Sequence, residues 1–143
     1  MGDVVGFYYG PAGTKSFFRD ASGNYQEISF PGAVYTEVYG MNDLGQAVGF
    51  YYDGTTFHGF LWSGGNNFTT IDFPGANYTV LRAINDGGVI VGSFFYESNN
   101  VHGFLAFPLA ESSIPEPGSV VLTLAGLAGF IAIRKRAAYK ASR

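Results

Sequence analysis

An all-β fold is predicted by three observations: an internal repeat, aromatic runs that alternate with period two, and turn signals between those runs. Val5-Gly6-Phe7-Tyr8-Tyr9 recurs as Val48-Gly49-Phe50-Tyr51-Tyr52 and, altered, as Val91-Gly92-Ser93-Phe94-Phe95, each time 43 residues on. Phe30-Pro31-Gly32-Ala33 matches Phe73-Pro74-Gly75-Ala76, and Asn42-Asp43 matches Asn85-Asp86, at the same spacing. Laying residues 2–40 on 45–83 without a gap gives 15 identities in 39 positions, too many for composition alone, so the chain is internally duplicated.

The repeats are counted as 1–40, 41–83 and a partial 84–107. In the second, Val48, Phe50 and Tyr52 alternate with Gly49 and Tyr51, which predicts a strand over 46–52. His58, Phe60 and Trp62 alternate with Gly59 and Leu61 and predict a strand over 57–62. Further strands are expected over 68–73 and 78–84, so each unit carries four. Asp53-Gly54, Gly64-Gly65-Asn66-Asn67, Pro74-Gly75 and Asn85-Asp86-Gly87-Gly88 separate them, with residues that tolerate positive φ or hydrogen-bond their own backbone. No helix is indicated before residue 115.

Four strands in a unit of about 40 to 45 residues is the pattern of a propeller blade, whose sheet cannot bury both faces alone and stacks on its neighbours. His58-Gly59-Phe60 and His102-Gly103-Phe104 are similar to the His-Ala-Phe signature of the HAF-type extracellular repeat family, and the resemblance covers residues 2 to about 107. The first repeat has Lys15-Ser16-Phe17 at that place, so the histidine belongs to scaffold and not to a site. Closed propellers use about four to eight blades, and two and a half repeats imply an incomplete or open one. The sequence opens in mid-repeat, Gly2 aligning with Gly45 and Gly88, without the charged and apolar regions of a signal peptide; a longer exported parent is therefore expected.

Residues 108–117 read as a linker, and the C-terminal stretch has a different character from the repeats. Pro115-Glu116-Pro117 precedes residues 118–133, sixteen residues without a charge, and then Arg134-Lys135-Arg136. As a helix the uncharged run would be roughly 24 Å long, short against a hydrocarbon core of about 30 Å and suited to a temporary anchor. Lys140 and Arg143 add to the cluster, so residues 134–143 form a basic tail that the positive-inside rule holds in the cytoplasm, with everything upstream outside. Pro117 keeps a helix from extending back over the motif.

This three-part tail resembles the PEP-CTERM sorting signal of Gram-negative exported proteins, over residues 115 to about 136. The resemblance implies a transmembrane helix over 118–133 and recognition of Pro115, Glu116 and Pro117 by an exosortase, a membrane protease that removes such tails. It implies passage through the inner membrane, then release to the cell surface or the extracellular polysaccharide matrix.

Composition excludes several classes of function. Residues 1–117 carry three cations, Lys15, Arg19 and Arg82, against eleven carboxylates, a net charge of −8 that disfavours nucleic acid as a partner. Without cysteine there is no disulfide framework and no thiolate metal site. No further His or carboxylate lies at ligand spacing in sequence beside His58 or His102, and the Asn42-Asp43 and Asn85-Asp86 segments lack the further oxygen ligands of a calcium loop, so they are expected to be turns. No nucleophile-base order or phosphate-cradling glycine loop stands out. No cofactor, metal or catalytic residue is therefore assigned.

Of the 25 aromatic residues, 23 precede residue 117. Most are needed for packing, and Tyr51, Tyr52 and Trp62, each with a polar end, are the candidates for a surface platform. Two functions emerge as expectations: a non-enzymatic surface or matrix protein, or a lectin-like module that binds a glycan or other ligand while anchored in the membrane.

Overall fold

A computed structural model describes residues 2–96 and 100–109. The expected transmembrane helix, the Pro-Glu-Pro motif, the basic tail and most of the linker lie outside the described residues. Within them there are ten strands and no helix: β1 Val4–Gly10, β2 Gly13–Arg19, β3 Tyr25–Ile28, β4 Tyr35–Met41, β5 Ala47–Tyr52, β6 Phe57–Trp62, β7 Phe68–Thr70, β8 Tyr78–Ile84, β9 Ile90–Phe95 and β10 Val101–Ala106. Every pairing is antiparallel and joins strands consecutive in sequence, in sheets ordered β1-β2-β3, β4-β5-β6-β7 and β10-β9-β8.

The sheets are out of phase with the repeat as counted from sequence. The strand at 78–84 closes the second repeat in sequence, but in the fold it pairs with β9 and opens the third sheet. The Phe73-Pro74-Gly75-Ala76 segment is the cause. It makes a turn in which Ala76 N–H bonds the Phe73 carbonyl, with Gly75 at φ 76°, and it carries the chain across to the next sheet. A repeat has no natural first residue, so periodicity cannot set this phase. The strand expected over 68–73 ends at Thr70, because Asp72 is drawn to the Gly59 N–H and the His58 ring.

The three sheets stack, and the middle one is covered on both faces. Alternation along β5 and β6 sends Ala47, Phe60 and Trp62 toward the first sheet, where they meet Ile28, Val5 and Phe18. Val48 and Leu61 point the other way and join Leu81, Ile84, Ile90, Phe94 and Phe104 of the third sheet. The period-two alternation of β5 and β6 thus divides their side chains between two cores, and both faces are buried along most of each strand. Phe60 is fully buried, and its removal would cost about 3–5 kcal/mol.

Polar groups in this core are paired. The buried Ser16 hydroxyl donates to the Thr36 carbonyl and accepts from Val38 N–H, tying the first sheet to β4. Thr36 Oγ1 accepts from Phe30 N–H and Thr79 Oγ1 from Phe73 N–H, so the same anchor recurs 43 residues later. The Asn42-Asp43 and Asn85-Asp86 segments are turns, as expected: Asn42 Oδ1 accepts from Leu44 and Gln46 N–H. They also bond each other, Asp86 Oδ1 accepting from Asp43 N–H at 2.9 Å and the Asn85 carbonyl from Asn42 Nδ2 at 3.1 Å.

Candidate functional site

The outer face of the first sheet carries an open aromatic surface. Pairing of Phe7 with Ser16 and Ser16 with Ile28 fixes the register, and alternation then places Tyr8 of β1, Phe17 of β2 and Tyr25 of β3 on the side away from the second sheet. Together with Ser16, Gln26 and Glu27 they line a concavity of about 510 Å³. Phe17 and Tyr25 have ring centroids 5.8 Å apart, and the Arg19 guanidinium lies 5.8 Å from the Tyr25 ring. Tyr8 is 54 % and Tyr25 71 % exposed. At the rim Lys15 Nζ donates to Glu27 Oε1 at 2.7 Å, and that hydrogen bond raises the lysine pKa. The arrangement offers stacking faces with a charged edge.

The residues expected to form a platform lie elsewhere. Trp62 is only 2 % exposed: its ring packs on Phe18 at 5.7 Å, and its Nε1–H is committed to the Gly65 carbonyl. Its polar end marked it for the surface, but one backbone carbonyl in the next turn satisfies that end and leaves the ring for the core. Tyr51 is half-buried between Phe30, stacked at 3.7 Å, and His58, with its hydroxyl bonded to Thr70. Tyr52 is likewise half-buried, packs beside Tyr35 and Phe57, and donates to the Gly54 carbonyl. The three do not form one surface.

A second constellation joins residues that sequence reasoning kept apart. His58 Nδ1 is 2.7 Å from Asp72 Oδ2, and Nε2 is 3.4 Å from Asp53 Oδ2. Burial pulls the His58 pKa down, but hydrogen bonds and charge from Asp72 and Asp53 outweigh it and raise the value. Asp53 is held well below the usual carboxylate range, chiefly by the N–H of Thr56, then by Thr55 through its hydroxyl and N–H. With a carboxylate beside each ring nitrogen, the imidazole clips the β5–β6 turn to the segment after β7. His102 sits against Phe94 and Tyr96 instead, and among the described residues the clip is not repeated. The signal was absent from local sequence because Asp72 is 14 residues from His58 and meets it only through the β6–β7 pairing.

A third group lies along the inner edge, where the Tyr39 hydroxyl donates to the buried Glu37 at 2.9 Å and Arg82 lies 4.8 Å from the Tyr39 ring. Burial, followed by the bond to Glu37, pushes the Tyr39 pKa up to about 12. This phenol stays neutral and structural. Among the described residues no group of three His, Cys, Asp or Glu is placed to hold a metal ion. Comparison with family models, curated proteins and solved structures returns no match.

Proposed function

We propose that this chain is a non-enzymatic exported protein of the bacterial surface or extracellular matrix, an open stack of propeller-blade-like sheets delivered by a PEP-CTERM-type tail. One observation carries the reading: Pro115-Glu116-Pro117, the uncharged run 118–133 and Arg134-Lys135-Arg136 succeed one another in the order that an exosortase substrate requires. The four-stranded antiparallel middle sheet, packed on both faces by sheets of its own repeat, supports the blade-like description. Such a stack suits a protein that works by association, since the chemistry that recurs from repeat to repeat is packing and not proton transfer.

Mass spectrometry of the mature C-terminus in the native host tests the sorting reading. A product ending near Pro117, lost when Pro115, Glu116 and Pro117 are replaced by Ala, is expected. A product that keeps Arg143 in the inner membrane means a plain anchor and overturns it.

A glycan-binding module is the second reading, and the open aromatic concavity of Tyr8, Phe17 and Tyr25 favours it. Aromatic faces stack on sugar rings, and the Lys15–Glu27 rim offers hydrogen bonds. A polysaccharide pull-down that is saturable and abolished by Tyr8→Ala or Tyr25→Ala would favour it over simple structural association.

A further inference from the structure

We propose that the outer side of the first sheet is a preformed acceptor for a strap and strand of this same repeat type: a Phe-Pro-Gly-Ala turn leading into a bulged β-strand. The molecule already contains two copies of this arrangement. In the second sheet the turn at 30–33 leads into β4, which pairs along β5, and in the third the turn at 73–76 leads into β8, which pairs along β9. Both strands carry a register shift at the same place, between Val38 and Gly40 and between Leu81 and Ala83. By register β1 is the counterpart of β5 and β9, yet among the described residues nothing pairs with its outer edge.

The aromatic concavity identifies what enters first. Tyr8, Phe17 and Tyr25 stand where Tyr51, Phe60 and Phe68 stand in the second sheet, and there Phe30 fills the space. Its ring stacks on Tyr51 at 3.7 Å and meets Phe60 at 6.1 Å and Phe68 at 5.3 Å. In the third sheet Phe73 stacks on Phe94 at 3.6 Å and meets Phe104 at 5.6 Å. The same site has thus been built three times and closed twice by the phenylalanine of a Phe-Pro-Gly-Ala turn.

Gly6 supplies an independent sign of the incoming strand. At its counterparts the bulged neighbour presses on the glycine: a Cβ on Gly49 would collide with the Glu37 carbonyl oxygen, and one on Gly92 would lie 2.7 Å from the Val80 carbonyl oxygen as well as from the Phe104 ring. A Cβ on Gly6 would meet only the Phe17 ring, at 3.2 Å, so among the described residues no neighbouring strand needs the glycine there. An added bulged strand would need it. A free edge beside an apolar socket is the setting in which strand addition supplies main-chain hydrogen bonds and a pocket supplies specificity. The inference rests on the repeat's geometry and stands apart from the sorting tail.

The test is fluorescence anisotropy with a labelled peptide of residues 30–41, titrated with the full chain in mild detergent. Saturable binding is expected. Phe30→Ala in the peptide, or Tyr8→Ala or Gly6→Ala in the protein, should weaken it by at least about tenfold, the scale at which losing a buried anchor registers at an interface. Circular dichroism and the emission of Trp62 should be unchanged in the protein variants. The proposal fails if the wild-type chain does not bind, or if Gly6→Ala and the Phe30→Ala peptide leave affinity unaltered. It also fails if an oligosaccharide occupies Tyr8 and Tyr25 without being displaced by peptide, or if the chain forms oligomers that peptide does not dissolve, because a second copy then covers this face with Val91 and Leu105 of its third sheet.

Discussion

Replacing Gly49 by Ala adds one methyl group at the most crowded point of the middle sheet. The new Cβ would overlap the Glu37 carbonyl oxygen and lie 2.8 Å from its carbon and 2.9 Å from Val38 Cα, all backbone atoms that cannot swing aside as a side chain does. Relief requires β4 to move off β5, which loosens the Val38 pairing with Gly49 and uncovers Val38, 1 % exposed, in the core facing the first sheet. Overpacking typically costs about 1–3 kcal/mol, and a clash against backbone at a bulge belongs at the upper end, about 3 kcal/mol. Gly6→Ala is the internal control. Its Cβ meets an aromatic ring edge at 3.2 Å, which a small ring shift relieves, and the lower entropy of the unfolded chain returns about 0.4–1 kcal/mol, so it should fall within about 1 kcal/mol of wild type. Urea unfolding of the full chain in mild detergent, tracked by the buried Trp62, measures both. For a domain of this size a loss of about 3 kcal/mol lowers Tm by on the order of 10–20 °C. Equal costs for the two substitutions, or a neutral Gly49→Ala, would refute the claim that the bulged strand imposes the glycine.

Phe73→Ala should destabilise by about 2–4 kcal/mol, since Phe73 is stacked on Phe94 but only partly buried; urea titration reads this. Trp62→Ala should cost about 3–5 kcal/mol while Tyr25→Ala, at an exposed ring, stays within about 0.5 kcal/mol, a contrast that circular dichroism melting reports without the tryptophan probe. The His58 clip gives a pH dependence of definite sign. Its pKa is raised in the folded state, so its contribution is complete below the unfolded value of 6.5 and is lost as pH rises through the folded value. Tm should therefore decline on that alkaline side, and His58→Gln should flatten the decline. Asp53 acts in the opposite direction: its lowered pKa gives stability that is present above 3.8 and is lost as pH falls further, so Asp53→Asn should reduce the loss on acidification.

Most of the strand positions were legible in the sequence. The stretch expected over 57–62 is β6 to the residue, 78–84 is β8, and 46–52 starts one residue early, because alternating aromatics and the Gly, Asn and Asp turns between them are local signals. The site was less legible. Tyr51, Tyr52 and Trp62 were marked by their polar ends, but the open rings that line a concavity are Tyr8 and Tyr25, in a sheet that has no strap across it among the described residues. Exposure of an aromatic depends on what crosses above it, which one repeat read by itself does not reveal. Aligning the repeats offered the one usable signal, that Tyr8 and Tyr51 are equivalent positions with different neighbours.

Sequence alone determined the repeat length, the all-β class, the charge that disfavours nucleic acid, and the order of motif, uncharged run and basic cluster that motivates the sorting proposal. Each is carried by neighbouring residues, by recurrence at 43 or by composition, so no folding is needed to read it. Tertiary structure decided which strands share a sheet, that Trp62 serves the core, that His58 finds two carboxylates, and that one face of the stack is open. Those outcomes depend on contacts between residues far apart in the chain, formed when sheets that cannot bury both faces alone stack on one another, and the outermost sheet is left with the surface its neighbours hide.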